Sequence, residues 1–497
     1  MTDTITELGT GAGVAHLQEF FIDGSWTAPA TDRVIEVIQP ATEDVFATVA
    51  EAAPADMDRA IAAARHAFDE GPWSRLDPAE RGRYVRAIGT ELAARADALS
   101  RIWTCEMGIV HSAASAMLPG VAAAWHDYAA LADEFAFVER RKPVAGQVGL
   151  LAREPVGVVG AIIPWNSPLA IITHKVAPAL VAGCTVVLKL APEAPIEGLV
   201  LGEVAEAVGL PPGVLNIVTA DREVSEQLVR DPRIDKIAFT GSTATGRRIA
   251  ALCADRIARC TLELGGKSAA VILDDYDIAT AAASLSASAR RLTGQVCSSL
   301  TRVVVGRERH DELVEALAES FRAIRVGDPF DEATDMGPLA AERQRDRVER
   351  YIALGLRDNA TLAAGGRRPP QLPKGYYIEP TVFGDVDPAC PIAQEEIFGP
   401  VLSVIPASDE AEGVRIANDT IYGLNASVFT NDPERAYRIA RRLRSGTVGH
   451  NAQRADYGIA FGGFKQSGIG REGGREGLLT YLETKAIILE GEPGAGI

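Results

Sequence analysis

The chain has 497 residues, 47% of them hydrophobic and 24% charged, which is enough for roughly two to four domains with sizeable cores. A formal net charge of −17 makes nucleic acid an unexpected partner, because that field repels polyanions. The apolar runs are too short to span a bilayer as a helix, and the N-terminal stretch lacks the continuous apolar block of a signal peptide, so no membrane partner and a cytoplasmic location are expected.

Six cysteines, at positions 105, 184, 253, 260, 297 and 390, form no CxxC pair and no regular spacing. The seven histidines are scattered, with no HExxH arrangement. Neither a disulfide framework nor a metal site is expected.

In chain order, helical spacing predicts a helix over 54–70 and, after the turn GPWS, a second from about 77 past 98. From 155 the texture changes. Short Val/Ile-rich runs at 156–163, 185–190, 214–219 and 236–241 lack alternation, as strands buried on both faces do. Helix-like segments at 169–182, 195–208, 222–230 and 244–257 separate them, which predicts a parallel, doubly wound sheet of Rossmann type. A second α/β alternation starts with a strand at 268–275. It continues through helices near 277–290, 308–323 and 341–355 and strands near 376–383, 401–405, 426–430 and 486–490. The charged stretch 138–154 and the C-terminal end fit neither unit and are expected to pair with each other or with another subunit.

Four segments carry chemistry. GQVCSS (294–299) holds Cys297 among small and polar neighbours, unlike a packing cysteine, and a thiolate is a strong carbonyl nucleophile. TLELGGKS (261–268) places Glu263 between apolar residues, where partial burial raises a carboxyl pKa toward that of a neutral-pH base. PWN (164–166) ends the first strand of the dinucleotide unit, where the Asn166 amide can donate to an oxyanion together with the Cys297 N–H. FTGSTATG (239–246) runs strand, glycine turn, helix, a context in which Gly241 and Ser242 can receive a phosphate. Taken singly, each also has a structural explanation: a buried thiol, a surface glutamate, a helix cap, an ordinary turn.

These four segments occur together with EEIFGPV (395–401) and FGGFKQSGIGRE (461–472), in the order found in the aldehyde dehydrogenase superfamily, which the chain resembles from about residue 20 to 490. The resemblance implies an α/β fold of three parts: a dinucleotide-binding domain from 1–137 and 156–265, a catalytic domain from 266–470, and a small β oligomerisation arm from 138–155 and 480–497. It implies oxidation of an aldehyde through a thioester on Cys297, with Asn166 at the oxyanion, Glu263 activating water and Lys175 near this network. For the cofactor it implies Lys189 at the adenosine ribose, Gly241 and Ser242 at the pyrophosphate, Glu396 at the nicotinamide ribose and Phe398 beside the nicotinamide, with Ile162, Pro164, Trp165 and Leu264 lining the same cleft.

NAD is the expected cofactor. NADP stays compatible, because Pro192 stands where relatives often carry the glutamate that binds the ribose hydroxyls, with Glu193 one place later. The substrate pocket is expected from Leu169, Ile171, His174, Val296, Ser298, Arg454, Phe461 and the loop 452–460. That mostly apolar set favours an aliphatic, terpenoid or aromatic aldehyde. Arg454 is the argument for a carboxylate-bearing semialdehyde instead, unless Asp456 neutralises it. Glu263 argues for hydrolysis over transfer to CoA, and against an inactive binding homologue. Assembly as a homodimer or homotetramer is expected from the resemblance alone.

Overall fold

The computed structural model describes residues 14–493. The apolar runs after residue 155 become Val158–Ile162, Thr185–Leu190, Leu215–Thr219 and Lys236–Thr240, and Arg259–Glu263 adds a fifth parallel strand. Every residue of Val158–Ile162 and Thr185–Leu190 is buried, because apolar layers cover both faces of the sheet. The full order is Gly468–Ile469, Arg259–Glu263, Lys236–Thr240, Val158–Ile162, Thr185–Leu190, Leu215–Thr219, Phe20–Ile22, Ser25–Thr27. Strand order reverses beside Val158–Ile162, so the crevice for a ligand lies at the carboxyl ends of that strand and Lys236–Thr240.

The two edges of this sheet come from distant sequence. Phe20–Ile22 adds antiparallel to Leu215–Thr219, and Gly468–Ile469 adds antiparallel to Arg259–Glu263 with Gly468 opposite Glu263. The second pairing carries the FGGFKQSGIGRE segment onto the edge where Glu263 sits.

A second sheet of seven strands has the order Thr361–Ala364, Thr381–Gly384, Val401–Ala407, Arg302–Gly306, Ala269–Ile272, Asn425–Phe429, Thr447–His450. Only Thr361–Ala364 runs antiparallel to its neighbour. The strand expected over 376–383 is shortened to Thr381–Gly384, because the Tyr376 N–H donates to Pro40 O and its carbonyl accepts from Leu339. A third sheet pairs Leu482–Leu489 with Val148–Pro155, and the latter with Val138–Arg141, all antiparallel.

The helix expected from 77 past 98 is two helices, Pro78–Ala94 and Ala96–Met107, broken where Arg95 leaves helical geometry at φ −103°, ψ 9°. A further helix, His111–Glu134, escaped the pattern reading. Its many alanines blur the apolar stripe, although Ala114, Leu118, Ala122, Trp125, Ala129 and Ala132 are buried at three- and four-residue spacing. No helix among the described residues is long and apolar enough to cross a membrane.

Candidate active site

The carboxyl ends of Lys236–Thr240 and Arg259–Glu263 open into a cavity of about 230 Å³. Cys297, Asn166 and Glu263 stand in its wall, although 131 positions separate Asn166 from Cys297 in the chain (297 − 166). The cofactor candidates Pro164, Trp165, Gly241, Ser242, Leu264, Glu396 and Phe398 line the same space, as does Ile171 from the expected substrate pocket.

Cys297 is presented by an unusual turn. Leu292, Thr293 and Gly294 all have positive φ, at 50°, 54° and 73°, a region that is costly for the first two. The Gln295 side chain pins the turn by donating to Leu292 O at 3.1 Å and accepting from the Ala340 N–H at 3.0 Å. Cys297 itself is half-buried. Burial, then the neighbouring Glu396 and Glu263, push its thiol up to about 12, while the Ser298 N–H works in the opposite direction. The thiol is therefore protonated at neutral pH.

Asn166 follows the strand Val158–Ile162 and is 7% exposed. Its Nδ2 donates to Gln295 O at 3.0 Å, which orients the amide toward the cysteine turn and leaves a second N–H on the same nitrogen. The Trp103 Nε1–H holds the Asn166 carbonyl at 3.2 Å.

Glu263 ends its strand 3% exposed, and neither carboxylate oxygen has a hydrogen-bond partner among the described residues. Desolvation and then Glu472 push its pKa well above the ordinary carboxyl value, with Lys175 and Arg471 opposing. A Cβ on Gly462 would lie 2.7 Å from Glu263 Oε1, so the neighbouring chain must be glycine.

Lys175, on helix Pro168–Ala182, is fully buried and paired with Glu472, itself buried. Phe461 and Glu472 exchange N–H···O bonds of 2.7 Å in each direction, and this bridge fixes the Glu472 backbone. Glu472 was not singled out from the sequence. The signal for it was the buried Lys175, since a buried ammonium demands a carboxylate partner.

The crevice residues suit a dinucleotide. Gly241 and Ser242 join Lys236–Thr240 to helix Thr243–Ala254, which Ser242 caps through the Thr245 N–H at 3.2 Å. Thr240 Oγ1 in the cavity wall is buried without a partner among the described residues. Glu396 accepts from the Gly266 N–H at 3.2 Å, and burial pushes its carboxyl up to about 7. Lys189, in strand Thr185–Leu190, is 8% exposed and drawn down to about 8 by burial. Phe398 has φ +63° and meets Trp165 edge-on with ring centroids 5.6 Å apart. Helix Glu342–Arg357 holds that loop: Gln344 Nε2 donates to Phe398 O at 2.6 Å, and Arg347 donates to the carbonyls of Ile397 and Glu396. Gln344 and Arg347 line the cavity, but nothing in a charged amphipathic helix marked them.

The remaining candidates, Ile162, Leu169, His174, Val296, Ser298, Arg454 and Phe461, are not in the wall of this cavity. Ile162 is buried in the sheet between Lys189 and Phe239. Leu169 is buried in the main core. His174 stacks on Tyr457 at 3.8 Å, Tyr457 stacks on Phe461 at 4.6 Å, and burial draws the imidazole down to about 3, so this stack is neutral. Val296 is half-buried, and buried Ser298 accepts from Gln453 Nε2 at 3.0 Å. Arg454 is exposed, and Asp456 does not neutralise it: its carboxylate accepts from the Gly458 N–H at 2.8 Å, and no ion pair joins the two among the described residues.

Fold and cavity together are those of an α/β oxidoreductase, with a cysteine facing the crevice at the strand ends. The chain belongs to the aldehyde dehydrogenase family, whose model matches residues 26–487. It is 43% identical over 475 residues to geranial dehydrogenase of Castellaniella defragrans, covering 95% of this chain and 99% of that one. An aldehyde dehydrogenase of Mycobacterium tuberculosis solved with NAD+ superposes with a TM-score of 0.93 at 45% identity, over 97% of this chain and 99% of the other. A mutant of aldehyde dehydrogenase C from Pseudomonas syringae, in complex with NAD+ and octanal, gives 0.92 at 41% identity over 97% and 98%.

Replacing one partner of the buried pair leaves the other charge unpaired. Glu472→Gln is expected to lose about 3–5 kcal/mol of unfolding free energy in denaturant titrations. The double variant Lys175→Met/Glu472→Leu is expected to recover most of that loss.

Proposed function

We propose that the protein oxidises apolar aldehydes to carboxylic acids with NAD+ through a thioester on Cys297. The observation that carries this reading is the single cavity in which Cys297, Asn166 and Glu263 meet Gly241, Ser242 and Glu396. Glu263, a buried base with a raised pKa, takes the Cys297 proton as the sulfur attacks the aldehyde carbon. The free Asn166 N–H and the Cys297 N–H receive the oxyanion. When bound, NAD+ supplies the acceptor for the hydride lost from the substrate carbon. Glu263 releases that proton to solvent, then deprotonates water for attack on the thioester, and Cys297 leaves as the thiolate, which takes a proton back. Lys189, Gly241, Ser242 and Glu396 hold the dinucleotide, with Ile162, Pro164, Trp165, Leu264 and Phe398 forming its bed.

NADP+ use is compatible with this crevice: Pro192 offers no carboxylate to repel a 2′-phosphate, and Glu193 is paired with Arg343. The neutral stack of His174, Tyr457 and Phe461, with Ile171 and Val296, favours an apolar substrate, in line with the geranial specificity named for one relative and the octanal bound to another. Arg454, exposed and without an ion pair among the described residues, favours a second reading, a carboxylate-bearing aldehyde. The three-stranded sheet, with Leu482–Leu489 as a free edge and Ile488 60% exposed, is the surface we assign to self-association as a dimer or tetramer.

Reduced-cofactor formation tests the substrate. Hexanal, citral and benzaldehyde are expected to exceed succinate semialdehyde in kcat/KM without added CoA, and the reverse order would establish the second reading. Cys297→Ala is expected to abolish turnover while NAD+ binding remains measurable by calorimetry.

The raised pKa of Glu263 also sets a pH dependence. Only the deprotonated carboxylate accepts a proton, so kcat is expected to fall as pH drops through that pKa, with a midpoint above the ordinary ~4.3. An acid limb at the ordinary carboxyl value would remove Glu263 from the role.

A further inference from the structure

Helix Glu342–Arg357 lines the cavity with Arg343, Gln344 and Arg347, and Arg343 and Arg347 stand one turn apart on the same face. Gln344 and Arg347 hold the Phe398 loop, with Arg347 directing Nε and Nη2 at the carbonyls of Ile397 and Glu396. Arg343 has no such task. Its guanidinium pairs through Nη2 with Glu193 Oε1, and no other partner joins it among the described residues. A guanidinium is a fork of N–H donors, so most of this one is free. The side chain is 60% exposed, yet it stands in the same wall as Gly241 and Ser242.

The Arg343–Glu193 pair reaches from one sheet to the other. Glu193 lies between strand Thr185–Leu190 and helix Ile196–Ala207 of the first sheet. Arg343 stands at the start of a helix whose Val348 and Ile352 pack with Phe383, Val401 and Ile405 of the second sheet and its surroundings. Charge is scarce in the wall they border. Burial favours the neutral forms of Glu263 and Glu396, and Lys189 lies outside the wall. A dinucleotide brings a pyrophosphate with two negative charges. Ser242 and the N-terminus of helix Thr243–Ala254 meet it with partial charges alone. Of the two guanidinium groups in the wall, Arg347 is anchored to the Phe398 loop, and Arg343 is the one left to meet a ligand.

We propose that Arg343 is a cofactor-binding residue that clamps the pyrophosphate of the dinucleotide, aimed by Glu193. The assignment rests on the dinucleotide reading of the crevice. Glu193 accepts from one N–H and fixes the direction of the fork, and the remaining N–H groups donate to phosphate oxygens. Glu193 also offsets the positive charge of the clamp and so tempers its affinity. NAD+ and NADP+ share the pyrophosphate, so the clamp does not discriminate between them.

Calorimetric titration of the full-length protein with NAD+ and with NADP+ tests this. Arg343→Ala is expected to weaken both by a similar factor, at least about tenfold, because hydrogen bonds to a charged group are lost. Arg343→Lys, which keeps the charge without the fork, is expected to recover part of the loss. Glu193→Gln leaves Arg343 an acceptor and removes the opposing charge, so it is expected to bind NAD+ a few-fold more tightly. An ion pair that served only to join the two sheets would instead weaken binding in both Arg343→Ala and Glu193→Gln. Added salt is expected to narrow the gap between the native protein and Arg343→Ala. Unchanged NAD+ affinity in Arg343→Ala, a loss confined to NADP+, or weaker NAD+ binding in Glu193→Gln overturns the proposal. A native protein that binds neither dinucleotide removes the cofactor reading itself, and this assignment with it.

Discussion

A carboxylate held out of water without a hydrogen-bond partner is expensive, and the site is organised around one. Glu263 lies at the end of a buried strand, with the main chain of Gly462 on one flank and the Lys175–Glu472 pair nearby. Desolvation of a lone carboxyl costs several kcal/mol and favours its protonated form, which raises the pKa of Glu263 and makes its carboxylate a stronger base. The same dry surroundings hold Cys297 as a thiol.

The sheet topology makes this arrangement possible. Glu263 belongs to the dinucleotide-binding sheet, Cys297 to the segment leading into strand Arg302–Gly306 of the second sheet, and Gly462 to the loop returning to the first. Gly468–Ile469 pairs with Arg259–Glu263, so a segment from the C-terminal part of the chain lies beside Glu263. The strain of Leu292 and Thr293, which aims the cysteine turn, is balanced by the Gln295 hydrogen bonds. Glu263 is thus placed by the first sheet and Cys297 by the approach to the second, and both line one cavity.

Much of this was legible in the sequence where local chemistry is expensive. Buried parallel strands show as unbroken Val/Ile runs, and Glu263, Cys297, Asn166 and Gly241 each stand beside glycines or polar residues that a plain core would not contain. What stayed hidden depends on contacts far apart in the chain. Glu472 declares itself only through Lys175, and Arg347 acts through carbonyls about fifty positions away. Helix His111–Glu134 lacked a readable stripe because alanine serves on both faces. The break at Arg95 has no proline or glycine to announce it.

Trapping the covalent intermediate tests the central claim most directly. Glu263→Gln keeps the shape of the side chain but cannot accept a proton from water. Incubated with NAD+ and hexanal and measured by intact mass spectrometry, this variant is expected to gain one hexanoyl group slowly, because Cys297 must then lose its proton without Glu263, and to hold it on the Cys297 peptide through the steady state. Rapid steady turnover with no adduct would contradict the account, because some group other than Glu263 would then be activating the water.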